Sequence, residues 1–385
     1  MDFQLDKKHT MAQSLFKDFA EKEVKPLAID TDETEEFPRV TVDKMAKNGF
    51  LGIAIPEQYG GQGCDPLTYV MCVEELAKVC GTTSVIVSAH SSLCCDPILH
   101  YGTEEQKQKY LVPLAKGEKL GAFGLTEPGA GTDAQGVQTK AVLSEDGKEW
   151  ILNGSKCFIT NGKEADVYII IAYTDVVETK RGKQKKFTAF IVEKGTEGFT
   201  FGTKEHKMGI RGSATYELIF QDCHIPVENQ LGPRGKGFPI AMGTLDGGRI
   251  GIAAQALGLA EGALDRTIAY VKERKQFGRS ISAFQNTQFQ LANLATEVEA
   301  AKLLVYRAAE AKRTKDRFSV EAAQAKLFAA EKAMDVTTKC VQLLGGYGYI
   351  REYEVERMMR DAKITEIYEG TSEVQRMVIS GDLLK

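Results

Sequence analysis

The sequence predicts a multidomain α+β protein with three successive parts: an N-terminal all-α domain, a middle, mostly antiparallel β domain, and a C-terminal four-helix-bundle domain. Three observations carry this. At 385 residues the chain is longer than one hydrophobic core usually grows. Its apolar period changes from helical to strand-like near Gly121 and returns to helical from Gly237. It also lacks the regular strand–helix alternation of a doubly wound α/β enzyme. The expected domains span residues 1–121, 122–232 and 233–385.

In the first part, Met11, Leu15 and Phe19 recur at helical spacing, and residues 70–79 carry apolar side chains around Glu74 and Glu75. Pro26, Pro38, Pro56, Pro66 and Pro97 punctuate these helices. In the second, β-rich runs cover 150–160, 166–173 and 187–192, and Tyr216, Leu218 and Phe220 alternate. Glu145-Asp146-Gly147 and Gly182-Lys183-Gln184 are the expected turns. In the third, Leu257, Ala260, Leu264, Ile268 and Val271 form one helical stripe. Leu291, Leu294, Val298, Ala301, Val305 and Ala308 form another, and Val320, Ala323, Leu327, Ala330, Met334, Thr337, Val341 and Leu344 a third. Short polar links between them predict long antiparallel helices in a bundle.

Composition narrows the function classes. A 43% hydrophobic, 26% charged chain can bury a large core, which excludes a disordered or fibrous protein. The net charge of −4 leaves no basic field for nucleic acid or anionic lipid, so any anionic ligand must be met by local groups. The 8 cysteines form no CxxC pair and no Cys/His cluster of zinc-finger spacing, which predicts reduced thiols and no structural metal. Met1-Asp2-Phe3-Gln4-Leu5 has no targeting character, and no apolar run reaches 18 residues. The expected location is therefore the bacterial cytoplasm, or the mitochondrial matrix for a processed form. Glycine stands at 37 residues, about a tenth of the chain against a usual 7% or so, which directs attention to glycine-rich segments.

Three such segments stand out. Thr126-Glu127-Pro128-Gly129-Ala130-Gly131-Thr132-Asp133-Ala134 matches a loose dinucleotide fingerprint, yet the residues after it look extended rather than helical. A turn between strands is the plainer reading, with backbone N–H groups available to an anion. Gln342-Leu343-Leu344-Gly345-Gly346-Tyr347-Gly348-Tyr349 ends the third stripe, and a helix cap accounts for one of its glycines, not three. Close approach of a ligand to bare backbone is the sharper explanation. In the segment 361–373, Glu369 precedes a glycine that could end a helix, and a solvent-facing charge fits as well as a catalytic one; Thr371 then caps a last helix. The basic run Lys180, Arg181, Lys183, Lys185 and Lys186 reads as a solvated hairpin tip, and the 5 histidines as ordinary core or surface residues.

Together these segments resemble the acyl-CoA dehydrogenase family, whose members are FAD-dependent flavoproteins. The resemblance covers residues 1–385. It rests on Leu125-Thr126-Glu127-Pro128-Gly129-Ala130-Gly131-Thr132-Asp133, Lys207-Met208-Gly209-Ile210-Arg211-Gly212-Ser213, Glu273-Arg274-Lys275-Gln276-Phe277-Gly278, Gln342-Leu343-Leu344-Gly345-Gly346 and Ile367-Tyr368-Glu369-Gly370-Thr371-Ser372-Glu373. Similarity is greatest to short-chain members. It implies α,β-dehydrogenation of a butyryl-CoA-like thioester to the trans-2-enoyl-CoA, or the reverse reduction. Electrons would be exchanged with an electron-transferring flavoprotein. The alternatives are a branched, medium-chain or cyclic acyl-CoA substrate, or a catalytically silent flavin-binding protein.

The family's base occupies the position of Glu369, where a carboxylate must take the weakly acidic α-proton. The resemblance further implies that the Glu369 N–H polarises the thioester carbonyl, and that burial raises the Glu369 pKa. For FAD it implies Phe123, Leu125, Thr126, Gly131 and Thr132 at the isoalloxazine edge, with Phe158, Ile159 and Thr160 on its other side. Arg274, Phe277, Gln285, Gln342, Leu343, Gly345 and Gly346 would hold pyrophosphate and adenosine from a neighbouring subunit, and Thr371, Ser372 and Glu373 would close the site. That arrangement implies a homo-oligomer, in the family usually a homotetramer. For CoA it implies Thr132, the run Asp246, Gly247, Gly248 and Arg249, with Arg249 meeting the phosphates, and Tyr368 and Gly370 beside the acyl group. In isovaleryl-type relatives the base sits at the position of Gly248, and glutaryl-type relatives carry an Arg at Ser84, so a dicarboxylic substrate is disfavoured. Asp96 departs from the family pattern.

Overall fold

A computed structural model describes residues 4–179 and 182–385. Residues 1–3, part of the N-terminal segment read for targeting character, and Lys180 and Arg181, at the expected hairpin tip, lie outside the described residues.

The N-terminal part is helical. Helix α1 (Lys7–Phe19) is capped by Asp6, whose carboxylate accepts from His9 N at 2.8 Å. Its buried face carries Phe16 and Phe19, while Met11 and Leu15 are exposed, so of the expected stripe only Phe19 lies on the packed side. Helix α2 (Pro66–Ala77) has Asp65 as cap and Pro66 pre-set for the first turn. It is buried almost all round, including Glu74 and Glu75. Helix α3 (Gly81–Ser88) runs into a π-helical turn at Ala89–Cys95 that places Leu93 on the inner side.

The middle part is an eight-stranded sheet: β1 (Gly121–Gly124), β2 (Lys140–Leu143), β3 (Glu149–Thr160), β4 (Val167–Thr179), β5 (Gly182–Glu193), β6 (Phe199–Lys204), β7 (Thr215–Pro226) and β8 (Gln230–Leu231). The order is β6-β7-β3-β2-β4-β5-β8, with β1 on β4. Most pairs are antiparallel, but β1 and the start of β2 run parallel to β4, which alternation alone does not reveal. The turn at 145–147 is present, and Gly147 takes the positive φ it needs. Residues 182–184 are not a turn: they open β5 and pair with β4. Lys185 donates to Val137 O at 2.7 Å and Gln138 Oε1 at 2.9 Å, so it ties β5 to the loop before β2.

The C-terminal part is built on α4 (Gly237–Glu273), α5 (Gln285–Thr314) and α6 (Ser319–Leu344), followed by α7 (Val355–Thr365) and α8 (Ser372–Leu383). Four of the five residues in the α4 stripe and five of the six in the α5 stripe are buried. On α6 the packed face is turned slightly from the expected stripe, onto Ala322, Ala325, Ala329, Ala333, Val336 and Cys340. Helices α2, α4, α5, α6 and α7 share one core, which fastens the N-terminal helices to the bundle. All cysteines are unpaired thiols. Among the described residues no helix is long and apolar enough to cross a membrane.

Candidate active site

Glu369 sits between α7 and α8, where the chain leaves helical geometry. It has φ 51°, a left-handed conformation costly for a residue with a side chain, and Gly370 follows at φ 91°. The turn is closed by Ser372 N donating to Glu366 O at 2.9 Å and by Thr371 capping α8. Two buried side chains hold its carbonyls. Gln375 Nε2 donates to Gly370 O at 2.8 Å and Glu369 O at 3.3 Å, and Lys326 Nζ of α6 donates to Gly370 O at 2.7 Å.

The turn drives the Glu369 carboxylate inward against α4. Its Oε2 is buried and has no partner among the described residues, and neither does the Glu369 N–H. A Cβ on Gly248 would lie 3.0 Å from Glu369 Cδ and closer still to Oε2, and 2.8 Å from Leu93 Cδ2. Only glycine at 248 leaves the carboxylate its place. Burial raises the Glu369 pKa to about 7, opposed by the positive charges of Lys326 and Arg249. Tyr368 donates to Gln255 Oε1, Gln255 Nε2 to Gly81 O at 2.9 Å, and Tyr69 to Ser88 Oγ at 3.2 Å. Burial and the Glu369 charge both push the Tyr368 hydroxyl pKa upward.

On the β-sheet side, Phe123 and Leu125 share a core cluster with Leu93. Phe123 lies in β1, and Leu125 begins a loop held by Lys156, which is fully buried and donates to Leu125 O at 3.0 Å and Glu127 Oε1 at 2.7 Å. Glu127 also accepts from Gln138 N at 2.6 Å and Thr139 N at 2.9 Å. Its carboxyl is held below the ordinary range by Lys156 against the cost of burial. No helix follows this loop, only a single 3-10 turn and β2, so the dinucleotide fingerprint is a turn. Phe158 stands at φ 58° with 64% of its surface exposed, beside buried Ile159 and half-buried Thr160.

A separate open groove of about 450 Å³ gathers Arg274, Gln342, Leu343, Gly345 and Gly346, with Arg274 over the Tyr347 ring at 5.1 Å. The three glycines at the end of α6 have different reasons. Gly345 terminates the helix at φ 61°, Gly346 faces open space, and Gly348 is packed so closely against Val341 O that no Cβ would fit. Phe277 (93% exposed) and Gln285 do not line this groove, and the groove shares no lining residue with the surroundings of Glu369.

Family models match all three parts: the acyl-CoA dehydrogenase N-terminal domain over residues 6–118, the middle domain over 122–223 and the C-terminal domain over 235–384. The chain belongs to the acyl-CoA dehydrogenase family. It is 58% identical over 385 residues, all of both chains, to the acyl-CoA dehydrogenase of Clostridium acetobutylicum described as short-chain specific. Butyryl-CoA dehydrogenase from Megasphaera elsdenii matches with a TM-score of 0.96 at 52% identity, each chain covered in full. A solved chain described under "Electron transferring flavoprotein of Acidaminococcus fermentans: Towards a mechanism of flavin-based electron bifurcation" matches at 55% identity and a TM-score of 0.96, again in full.

Members of this family are FAD enzymes, and the residues present fit a flavin. Gly129, Gly131, Gly345 and Gly346 have nothing within 4 Å of where a Cβ would stand, so backbone is open to a ligand at both clusters. Phe158, next to Cys157 whose N–H donates to Thr126 O at 2.9 Å, offers an exposed aromatic face. The dehydrogenase differs from the expectation at Arg249. That side chain is 5% exposed, paired with Asp246 on its own helix, and its charge acts on Glu369, whereas the expectation had it meeting CoA phosphates. Asp246 in turn accepts from Ser319 Oγ at 2.5 Å. Asp96 pairs with Lys312 at 2.8 Å and His100 at 3.4 Å, which hold its carboxyl well below the usual range.

Sequence reasoning missed Lys326, Gln375, Gln255, Tyr69 and Lys156. For Lys326 and Lys156 a signal existed: each is a lysine among residues that alternate or recur as a buried face, and a lysine there needs a partner.

Proposed function

We propose that this chain oxidises short-chain acyl-CoA thioesters such as butyryl-CoA between Cα and Cβ, or reduces the corresponding enoyl-CoA, with Glu369 as the base. The observation that carries this is Glu369, half-buried in a strained turn, whose Oε2 is buried, unpartnered among the described residues and aimed at the gap that Gly248 leaves. A general base works best with a pKa near the working pH, and burial brings Glu369 to about 7.

In the oxidative direction, the Cα–H bond breaks and its proton passes to the Glu369 carboxylate. The electron pair left on Cα forms the Cα=Cβ bond as a hydride departs from Cβ. Bound FAD supplies the acceptor for that hydride. The free Glu369 N–H offers a donor for charge developing on the thioester oxygen. Thr371, Ser372 and Glu373 follow the base into α8, while Phe123, Leu125, Thr126, Gly131, Thr132, Phe158, Ile159 and Thr160 form the flavin-facing wall. Thr132, Asp246, Gly247, Gly248, Tyr368 and Gly370 flank the thioester. Ser84 is buried and donates to Gly81 O at 2.9 Å, leaving no cation there for a distal carboxylate. Leu93 limits the space beside the base, in keeping with a short acyl chain.

Arg274, Phe277 and Gln285 stay exposed and apart from Glu369 in the single chain, which favours a homo-oligomer, taken as a homotetramer, in which they and Gln342, Leu343, Gly345 and Gly346 reach a neighbour's FAD. The Acidaminococcus fermentans likeness favours an electron-transferring flavoprotein as redox partner. The test is anaerobic mixing of the flavoprotein with acyl-CoAs of different length. Flavin bleaching should be fastest with butyryl-CoA and weaker with octanoyl and isovaleryl thioesters. Bleaching by no straight-chain thioester would overturn the reading in favour of a silent flavin-binding protein.

A further inference from the structure

Lys326 is the most unusual buried cation of the bundle. It stands on α6 among Ala325 and Ala329, with none of its surface exposed and, among the described residues, no carboxylate within 4 Å. An ammonium taken out of water without an ion pair is costly, and it persists only where surrounding groups use it. Among the described residues its one hydrogen-bond acceptor is the carbonyl of Gly370, at 2.7 Å. That carbonyl belongs to the residue after Glu369, and its other donor is Gln375.

We propose that Lys326 is a positioning residue for the base: by donating to Gly370 O it locks the left-handed Glu369–Gly370 turn, and its charge holds the carboxylate ready to accept a proton. This rests on Glu369 being the base. Two residues in positive φ cannot be held by local helix bonds, so the orientation of the Glu369 side chain and N–H depends on what grips the next carbonyl. Lys326 and Gln375 are the side chains that do so. The charged groups facing the pair are known on every neighbouring element: Arg249 from α4, Glu366 after α7, and Glu373 from α8 act on Lys326, and Lys326 and Arg249 act on Glu369. Tyr368 and Tyr69 feel the Glu369 charge but stay protonated. Lys326 is itself brought down to about 8, chiefly by burial, so its charge is present when Glu369 ionises and is lost above that pH.

Three variants separate charge from fit. Lys326→Gln keeps an N–H donor and removes the charge, Lys326→Arg keeps the charge, and Lys326→Met removes both. The rate of flavin reduction by butyryl-CoA, followed against pH, should rise through about 7 in the parent. In Lys326→Gln and Lys326→Met that rise should move up by about one pH unit, because an opposite charge near a carboxyl is gone. In Lys326→Arg it should stay in place, and any fall above pH 8 should vanish. Hydrogen exchange of segment 364–375 in FAD-free protein gives a readout independent of turnover, and it should speed up in Lys326→Met. If Lys326→Met does not fold, Lys326→Gln and Lys326→Arg decide alone. A uniform rate loss with the rise unmoved, or profiles and exchange like the parent's, would overturn the proposal. Glu369→Gln run in parallel separates the two readings: if it loses reduction while Lys326 variants behave like the parent, only the role of Lys326 fails.

Discussion

Gly248→Ala should damage the reaction far more than the fold. An added Cβ would stand 3.0 Å from Glu369 Cδ, closer to Oε2, and 2.8 Å from Leu93 Cδ2, whereas ordinary contacts begin at 3.4 Å. The carboxylate must therefore retreat by on the order of 1 Å. Both colliding groups are ends of flexible side chains, so the strain relaxes locally. Alanine also favours the interior of α4 by about 0.5–1 kcal/mol over glycine, which offsets part of the overpacking. The melting temperature should thus change by no more than a few degrees. A displacement of about 1 Å of a reacting group can cost on the order of 100-fold in rate. Stopped-flow mixing with butyryl-CoA under anaerobic conditions should show flavin bleaching slowed by about that factor, with FAD content unchanged. Bleaching within about twofold of the parent would refute the placement of the carboxylate against Gly248.

Two further outcomes follow from buried charges. The Glu369 carboxyl has its pKa raised from 4.5 to about 7, so between those values the folded protein holds a proton that the unfolded chain has released. Stability from this group is therefore present below pH 4.5 and lost as pH rises toward 7. Glu369→Gln lacks the effect, so the melting temperature of FAD-free Glu369→Gln relative to the parent should climb between pH 5 and pH 8; a constant difference would contradict the burial of an ionisable Glu369. Lys156→Met should leave Glu127 buried without its cation, at a cost of about 3–5 kcal/mol, and loosen the loop at 125–132. Calorimetry should show the loss and the purified variant should carry less FAD; parental values for both would mean that the pair does not hold the loop.

Much of the architecture is legible because periodicity reports burial directly. The α5 stripe from Leu294 to Ala308 falls on its packed face, and Thr371 caps the last helix as its residue type suggests. Met11 and Leu15 show the limit, since spacing marks a helix without saying which side finds a partner. The parallel pairing of β1 with β4 and the opening of β5 at Gly182 depend on contacts far apart in sequence. In the site, Glu369 has no local mark of burial: its environment is made by Gly248 and Leu93, more than a hundred residues away. Lys326 escaped notice because a lysine reads as solvated, though Ala325 and Ala329 around it lie on a closed face. For Arg249 the resemblance implied a phosphate contact, and its burial and pairing with Asp246 depend on packing that the sequence does not display.

The most direct test of the account is Glu369→Gln. The amide matches the carboxylate in shape but cannot take the α-proton. The purified variant should keep its FAD, and anaerobic butyryl-CoA should leave its flavin oxidised. Flavin bleaching at close to the parent rate would contradict the assignment of Glu369 as the base.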